Sequence, residues 1–170
     1  MLLDAHDRVL LSCPAALLIL VPRHPQRFAE VAALLARRGV RYATRSSHGP
    51  VTSATTVLLV DTLGELLAFY ASADIAFVGG TLVPVGGHNL LEPAALGLPV
   101  LAGPHVFNAP EIARALLDAG AAIEVRTAEE VEAAVTRLLG DDAERKRRGQ
   151  AGIGERLGQR RVHEQALHDV

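Results

Sequence analysis

The 170-residue chain has one cysteine, Cys13, no tryptophan, and only two tyrosines and four phenylalanines. A lone cysteine excludes an internal disulfide and a cysteine-rich zinc site, and it agrees with a reducing compartment; the ordinary reading of Cys13 is a buried small apolar residue. Long apolar runs are also missing. The longest, Ala15 to Pro22, is strand-sized and far short of the roughly 18 residues a membrane helix needs. The start of the chain does not read as a signal peptide, because Asp4, His6 and Asp7 interrupt it at once. No charge of one sign dominates: 17 Lys and Arg against 19 Asp and Glu give a net charge of -2, without the basic excess of a nucleic-acid binder. Neither G-x-x-x-x-G-K-[ST] nor G-x-G-x-x-G occurs, which disfavours ATP hydrolysis and a standard dinucleotide site. There is no internal repeat and no low-complexity segment.

With 49% hydrophobic and 21% charged residues, the chain can bury one ordinary core. Leu2, Leu3, His6, Val9 and Leu10 follow helical spacing, so the chain opens inside an amphipathic helix. Short aliphatic runs then recur at Leu17 to Val21, Val40 to Thr44, Val57 to Val60, Ile75 to Val78, Val100 to Ala102 and Ala122 to Val125. Helical segments alternate with them at Gln26 to Arg38, Leu63 to Ser72, Leu90 to Leu96, Ala109 to Ala119 and Ala128 to Leu139. The polar stretch Arg45 to Thr56 is too broken for a helix and reads as a loop. This alternation predicts an α/β fold, Rossmann-like, with a mostly parallel sheet and helices on both faces. Beyond Gly140 one long polar helix runs to the C-terminus, with "ERKRR" and "GQRR" expected on a solvated face, or as a basic patch for anionic lipid.

In open sheets of this class ligands bind beyond the carboxyl ends of the strands. The unusual residues fall there, in "PRHPQRF", "DTLGE", "GPHVFN" and above all "FVGGTLVPVGGHNLLEPAALGLPV" from Phe77 to Val100. In that last stretch Gly86 and Gly87 permit positive φ and close backbone approach just before a helix, whose first turn holds Pro93. The helix start would attract a phosphate or carboxylate, while Glu92 would accept hydrogen bonds from sugar hydroxyls. The pattern Asn89-x-x-Glu92 reads equally as a capping-box variant, as does Thr62-x-x-Glu65. Capping alone leaves two glycine pairs around an exposed His88 unexplained. Arg23, after a buried strand, could clamp a phosphate or a sugar carboxylate in a planar fork, or be an ordinary surface arginine. His24, His88 and His105 lack metal-ligand spacing, no metal or cofactor is expected, and no catalytic triad can be defended. Asp61 reads as part of a loop hydrogen-bond network.

The combination "PRHPQRF", "DTLGEL", "FVGGTLVPVGGHNLLEPAALGLPVLAGP" and "FNAPEI" resembles the C-terminal half of the lipid A Kdo transferases, the 3-deoxy-D-manno-octulosonic acid transferases of the WaaA or KdtA family. The likeness spans about Leu17 to Val125. It implies one half of a two-domain GT-B glycosyltransferase that moves Kdo from CMP-Kdo to the lipid A precursor, without a metal, at the cytoplasmic face of the inner membrane. Carried over by motif, Arg23 would contact the anionic part of the donor, Gly64 and Glu65 would line the site, and Gly86, Gly87, His88, Asn89 and Glu92 would hold phosphate and ribose. Thr81, counted with these substrate-binding residues, stands where serine is usual after the glycine pair, and Leu90 replaces a common proline. Residues 1–140 are then expected to be the nucleotide-sugar-binding domain and residues 141–170 a helix packed on it or extending from it. The family's acceptor site, membrane-anchoring segment and acidic catalytic base lie in an N-terminal domain, and its C-terminal domain opens with a strand; neither is in this chain. The resemblance therefore implies a donor-binding fragment that binds without catalysing, with no catalytic residue of its own and with dimerisation open as a way to cover the missing strand. A self-contained nucleotide-sugar-binding module, or half of another α/β enzyme of phosphotransferase or epimerase type, is the alternative reading.

Overall fold

The structure, a computed structural model, describes residues 1–168, with side chains described for residues 1–155. Its elements in chain order are α1 (Leu2–Ser12), β1 (Leu18–Leu20), a 3-10 turn (Pro25–Arg27), α2 (Phe28–Arg37), β2 (Tyr42–Thr44), β3 (Val57–Leu59), α3 (Leu66–Ala71), β4 (Ala76–Phe77), α4 (Leu91–Ala95), β5 (Val100–Ala102), α5 (Pro110–Asp118), β6 (Ala122–Glu124), α6 (Ala128–Gly140) and α7 (Asp142–His168).

Every ladder is parallel, as the strand–helix alternation requires. The strands form two three-stranded sheets, ordered β1-β3-β2 and β4-β5-β6, rather than the one sheet the sequence suggests. Side-chain alternation explains why β5 is apolar throughout. Val100 and Ala102 face a core shared with Val78, Leu90, Ala94 and Leu116 of the α4 and α5 side, while Leu101 points the other way into a core with Ala5, Val125, Val131 and Leu138. Both faces of that sheet are thus covered by helices. A third core sets Val57 and Leu59 of β3 against Val31 and Leu35 of α2.

Helix α1 belongs to two of these cores. Leu2 and Ala5 pack with the β5–β6–α6 core and Leu3 with the β3–α2 core. Its buried His6 is hydrogen-bonded through Nε2 to the carbonyl of Thr56, 2.8 Å away, at the entry to β3. The guanidinium of Arg38, just past α2, donates to Asp4 at 2.7 Å and to Asp7 at 3.0 Å on α1. One amphipathic helix therefore ties both sheets.

Helix starts differ in places from the spacing. The segment expected from Leu63 begins as α3 at Leu66, because Gly64 takes φ +82 and turns the chain before the helix can start. The one expected from Gln26 opens with the 3-10 turn and becomes α-helical at Phe28. Helix α6 has a side-chain cap, with Thr127 Oγ1 accepting the Glu130 N–H at 3.2 Å.

The basic run of α7 is only in part the solvated face that its composition suggests. Arg145 donates to the carbonyls of Leu138 and Leu139 at 2.8 and 3.0 Å, and Arg148 donates to the Gly120 carbonyl at 2.8 Å, so both cations cap the ends of preceding helices. Their side chains are only 19% and 14% exposed, against 72% for Lys146 and 58% for Arg147, which do face solvent. The hydrogen bond from Arg147, aided by Arg148 and opposed by partial burial, holds the Glu144 carboxyl at about 2. The second basic cluster, Arg160 and Arg161, lies outside the described side chains. No helix among the described residues is long and apolar enough to cross a membrane.

Helix α7 comes close to the turn after α4 at Gly149, where an added Cβ would lie 1.9 Å from the Gly97 carbonyl oxygen. Nothing lies within 4 Å of the equivalent position at Gly154 on the same helix. Two opposing effects then separate the sites. Alanine is worth about 1 kcal/mol more than glycine in a helix interior, whereas overpacking against backbone costs about 1–3 kcal/mol or more. Gly154→Ala is expected to raise the denaturation midpoint and Gly149→Ala to lower it, as measured by chemical denaturation. Equal gains at both positions would mean that α7 does not pack through Gly149.

Candidate functional site

The loops leaving β1, β3, β4 and β5 at their carboxyl ends carry the residues singled out by sequence. The β4 and β5 exits are fastened by Thr81. This fully buried residue donates from Oγ1 to the Val78 carbonyl at 2.6 Å and accepts the Gly103 N–H at 2.7 Å. Its own carbonyl accepts the His105 N–H at 3.0 Å, and the contact is so close that a Cβ on Gly103 would fall 2.2 Å from that oxygen. Thr81, expected to bind substrate, is thus an expected site residue whose side chain the fold turns inward. Its hydroxyl is used on both sides, and it supports the site from below.

Above Thr81, Gly86 and Gly87 are buried with φ +92 and +71, and the Gly87 N–H donates to the Gly80 carbonyl at 3.0 Å. The next residue, His88, is exposed. Its Nδ1 lies 2.8 Å from Nη1 of Arg23, which comes from the β1 exit and so from the other sheet. A guanidinium can only donate, so Nδ1 is the acceptor and the neutral imidazole carries its proton on Nε2, where it is a donor. Desolvation first, then the charges of Arg23 and His24, hold His88 below the usual histidine range, with Glu92 pulling the other way. At neutral pH the pair is therefore an arginine beside an uncharged imidazole.

Asn89 lies just before the short helix α4 and Glu92 in its first turn. Asn89 Oδ1 accepts the Leu91 N–H at 3.0 Å, and its Nδ2 donates to Oε1 of Glu92 at 3.2 Å. That is an Asx turn ahead of the helix and not the capping box the spacing suggests. The carboxylate does not return to a backbone N–H, and Oε2 of Glu92 has no hydrogen-bond partner among the described residues. Burial, and after it the Glu92 charge, raises the Tyr70 phenol, which places that ring near the same carboxylate.

Gly64 and Glu65 sit at the β3 exit, where Glu65 is fully engaged. Oε1 accepts from Nε and Nη2 of Arg45 at 3.2 and 2.9 Å, and Oε2 accepts the Thr62 hydroxyl. Those bonds, Thr62 first and then Arg45, hold its carboxyl below the ordinary range. No hydrogen bond links Glu65 to the Arg23, His88 and Glu92 group among the described residues. Asp61 does join a loop network, accepting from the N–H and hydroxyl of Ser46 at 2.8 and 2.5 Å. Sequence reasoning missed Arg45, lost in a stretch read as loop, and it quoted "FNAPEI" without giving Asn108 a task. The signal for Asn108 is the glycine opposite it.

The Arg23 and His88 pair makes a measurable claim. Arg23 stabilises the neutral imidazole by both its charge and its hydrogen bond, so removing it must raise the His88 pKa toward the ordinary value. An NMR titration of the His88 ring in Arg23→Ala is expected to show an upward shift of the midpoint relative to wild type, with desolvation keeping part of the depression. A midpoint that stays put would mean the two side chains do not meet in solution.

Comparison with known proteins agrees with this architecture. Residues 52–154 match the family described as "Glycosyl transferases group 1". The chain is 46% identical over 152 residues to the 3-deoxy-D-manno-octulosonic acid transferase of Haemophilus influenzae, covering 89% of this chain and 36% of that protein. It is 45% identical over 139 residues to the enzyme of the same name from Bordetella pertussis, covering 81% of this chain and 32% of that protein. The chain thus spans about a third of the length of these relatives. A crystal structure of the C-terminal CMP-Kdo binding domain of WaaA from Acinetobacter baumannii superposes with a TM-score of 0.85 at 32% identity, covering 91% of this chain and 80% of that one. With a shared fold, shared sequence and a shared family match over more than half its residues, the chain belongs to the group 1 glycosyl transferases, in the family of the 3-deoxy-D-manno-octulosonic acid transferases.

Proposed function

We propose that this chain is the donor-binding part of a glycosyltransferase that takes Kdo from CMP-Kdo and passes it to the lipid A precursor at the cytoplasmic face of the inner membrane. Within it, residues 1–140 form the nucleotide-sugar-binding unit and residues 141–170 a C-terminal segment whose described part is α7, packed on that unit or extending from it. The observation that carries the reading is the pairing, in one loop cluster, of the Arg23 guanidinium with neutral His88 beside a Glu92 carboxylate whose Oε2 has no hydrogen-bond partner among the described residues. A cation with a planar fork suits a phosphate or a sugar carboxylate, and an acceptor oxygen suits vicinal hydroxyls. Arg23 then meets the anionic part of the donor, His88 offers its Nε2–H, Gly86 and Gly87 let the backbone approach the phosphate, and Asn89 orients Glu92 toward the ribose. Gly64 and Glu65, fixed by Arg45, form the neighbouring wall.

Calorimetry with CMP, UMP and NADH tests the reading, with CMP expected to bind best. Glu92→Ala is expected to weaken CMP by about 1–3 kcal/mol, the value of a buried acceptor removed from a hydroxyl network. An unchanged affinity in a folded variant would leave Glu92 as the partner of Asn89 and nothing more. Arg23→Lys keeps the charge and loses the fork, so it is expected to cost affinity for CMP-Kdo and leave cytidine unaffected. Cytidine, CMP and CMP-Kdo all binding Arg23→Lys as they bind wild type would remove the clamp.

Transfer itself needs an acceptor hydroxyl, a base and the anomeric carbon held together, and only the donor side is assigned to residues of this chain. Supplied with CMP-Kdo and a lipid acceptor, the chain alone is expected to give no product above a no-protein control. Product well above that control would place the base among the residues described above.

A further inference from the structure

We infer that Asn108 is a positioning residue for the nucleotide site: its side-chain amide fills the space left by the missing Cβ of Gly86 and so fixes the backbone of the glycine pair. A Cβ built on Gly86 would lie 2.5 Å from Nδ2, 2.5 Å from Oδ1 and 2.6 Å from Cγ of Asn108. The same amide donates from Nδ2 to the Gly87 carbonyl at 3.2 Å. At the next residue a Cβ on Gly87 would lie 2.5 Å from Cγ2 of Thr81. The pair is therefore in close contact with both the Asn108 amide and the Thr81 methyl.

This contact matters because two successive glycines in the left-handed region, φ +92 and +71, are an arrangement with many accessible competitors. Everything downstream inherits their direction. His88 follows Gly87 directly and must aim Nδ1 at Arg23, and the N–H groups of Gly86 and His88, which have no hydrogen-bond partner among the described residues, point where this backbone sends them. Asn108 itself is exposed and lies 21 residues away in the β5 exit loop, so its hydrogen bond makes the β5 exit a template for the β4 exit. This inference rests on the donor-binding reading for its consequence, that Asn108 governs the phosphate part of the ligand, but not for the clamp itself.

Hydrogen exchange and calorimetry on Asn108→Ala test it, with Asn108→Asp, which keeps the shape, loses the donor and adds a negative charge, as the second variant, read by exchange alone, should the first fail to fold. Exchange in residues 79–90 is expected to speed up in both while β4 and β5 keep wild-type protection. CMP affinity is expected to fall about five- to tenfold, the range of one lost hydrogen bond, with cytidine affinity little changed. In the Asn108→Ala background the added substitution Gly86→Ala is expected to do less harm than it does in wild type, since the atoms its Cβ would strike are gone. Unchanged exchange in residues 79–90, or equal losses for CMP and cytidine, would overturn the positioning role. Failure of wild-type protein to bind CMP at all would instead overturn the donor reading, and the exchange data and the Gly86 coupling would still decide whether Asn108 holds the pair.

Discussion

A single buried hydroxyl holds the working edge of this molecule together. Thr81 Oγ1 is at once donor to the Val78 carbonyl and acceptor from the Gly103 N–H. With 0% exposure it has no water to turn to, so each of those bonds is worth more than its surface equivalent. Val78 ends the run through β4 and Gly103 ends the run through β5, which means that two strand exits are cross-linked at the point where the chain leaves the sheet. Without that fixed floor, neither the Gly86–Gly87 turn nor the His88 side chain beyond it would have a defined height above the strands.

The second constraint is the bracing of two sheets by α1. Because no ladder among the described residues joins β1-β3-β2 to β4-β5-β6, their relation rests on packing and on a few polar contacts. Helix α1 supplies both kinds, apolar through Leu2, Leu3 and Ala5, polar through His6 to Thr56 and through Asp4 and Asp7 to Arg38. The surface ion pairs are individually weak. The buried His6 contact weighs more, since burial lowers the imidazole's proton affinity and its neutral form is the one that suits the cleft between helix and β3 entry.

How far the sequence could be read follows from how local each feature is. Strand and helix alternation, the parallel class and the clustering of odd residues at strand ends depend on period and composition, and these were legible in runs such as Val100–Ala102 and Ala128–Leu139. The motif likeness led to the family that the comparisons then showed. Features that depend on a partner far along the chain were not legible. The Arg23 and His88 contact joins residues 65 apart, and the task of Asn108 rests on its hydrogen bond to Gly87, 21 residues back, and on the absent Cβ of Gly86. Arg145 and Arg148 show the same limit from the other side: their composition says solvated charge, and only the fold reveals the carbonyls of Leu138, Leu139 and Gly120 waiting for them. The division of the strands into two sheets was equally invisible, since it depends on which strands end up adjacent and not on what any of them contains.

The bond between Arg23 and His88 also acts as a tether. Nη1 carries two N–H groups and the imidazole nitrogen, at 2.8 Å, takes only one of them, so a ligand can add to the pair without breaking it. An anionic oxygen gains most from the donors that remain, because hydrogen bonds to charged acceptors are about twice as strong as neutral ones. The imidazole thus aims a long, otherwise mobile side chain before any ligand arrives, and part of the entropy of ordering that side chain is lost on folding instead of on binding.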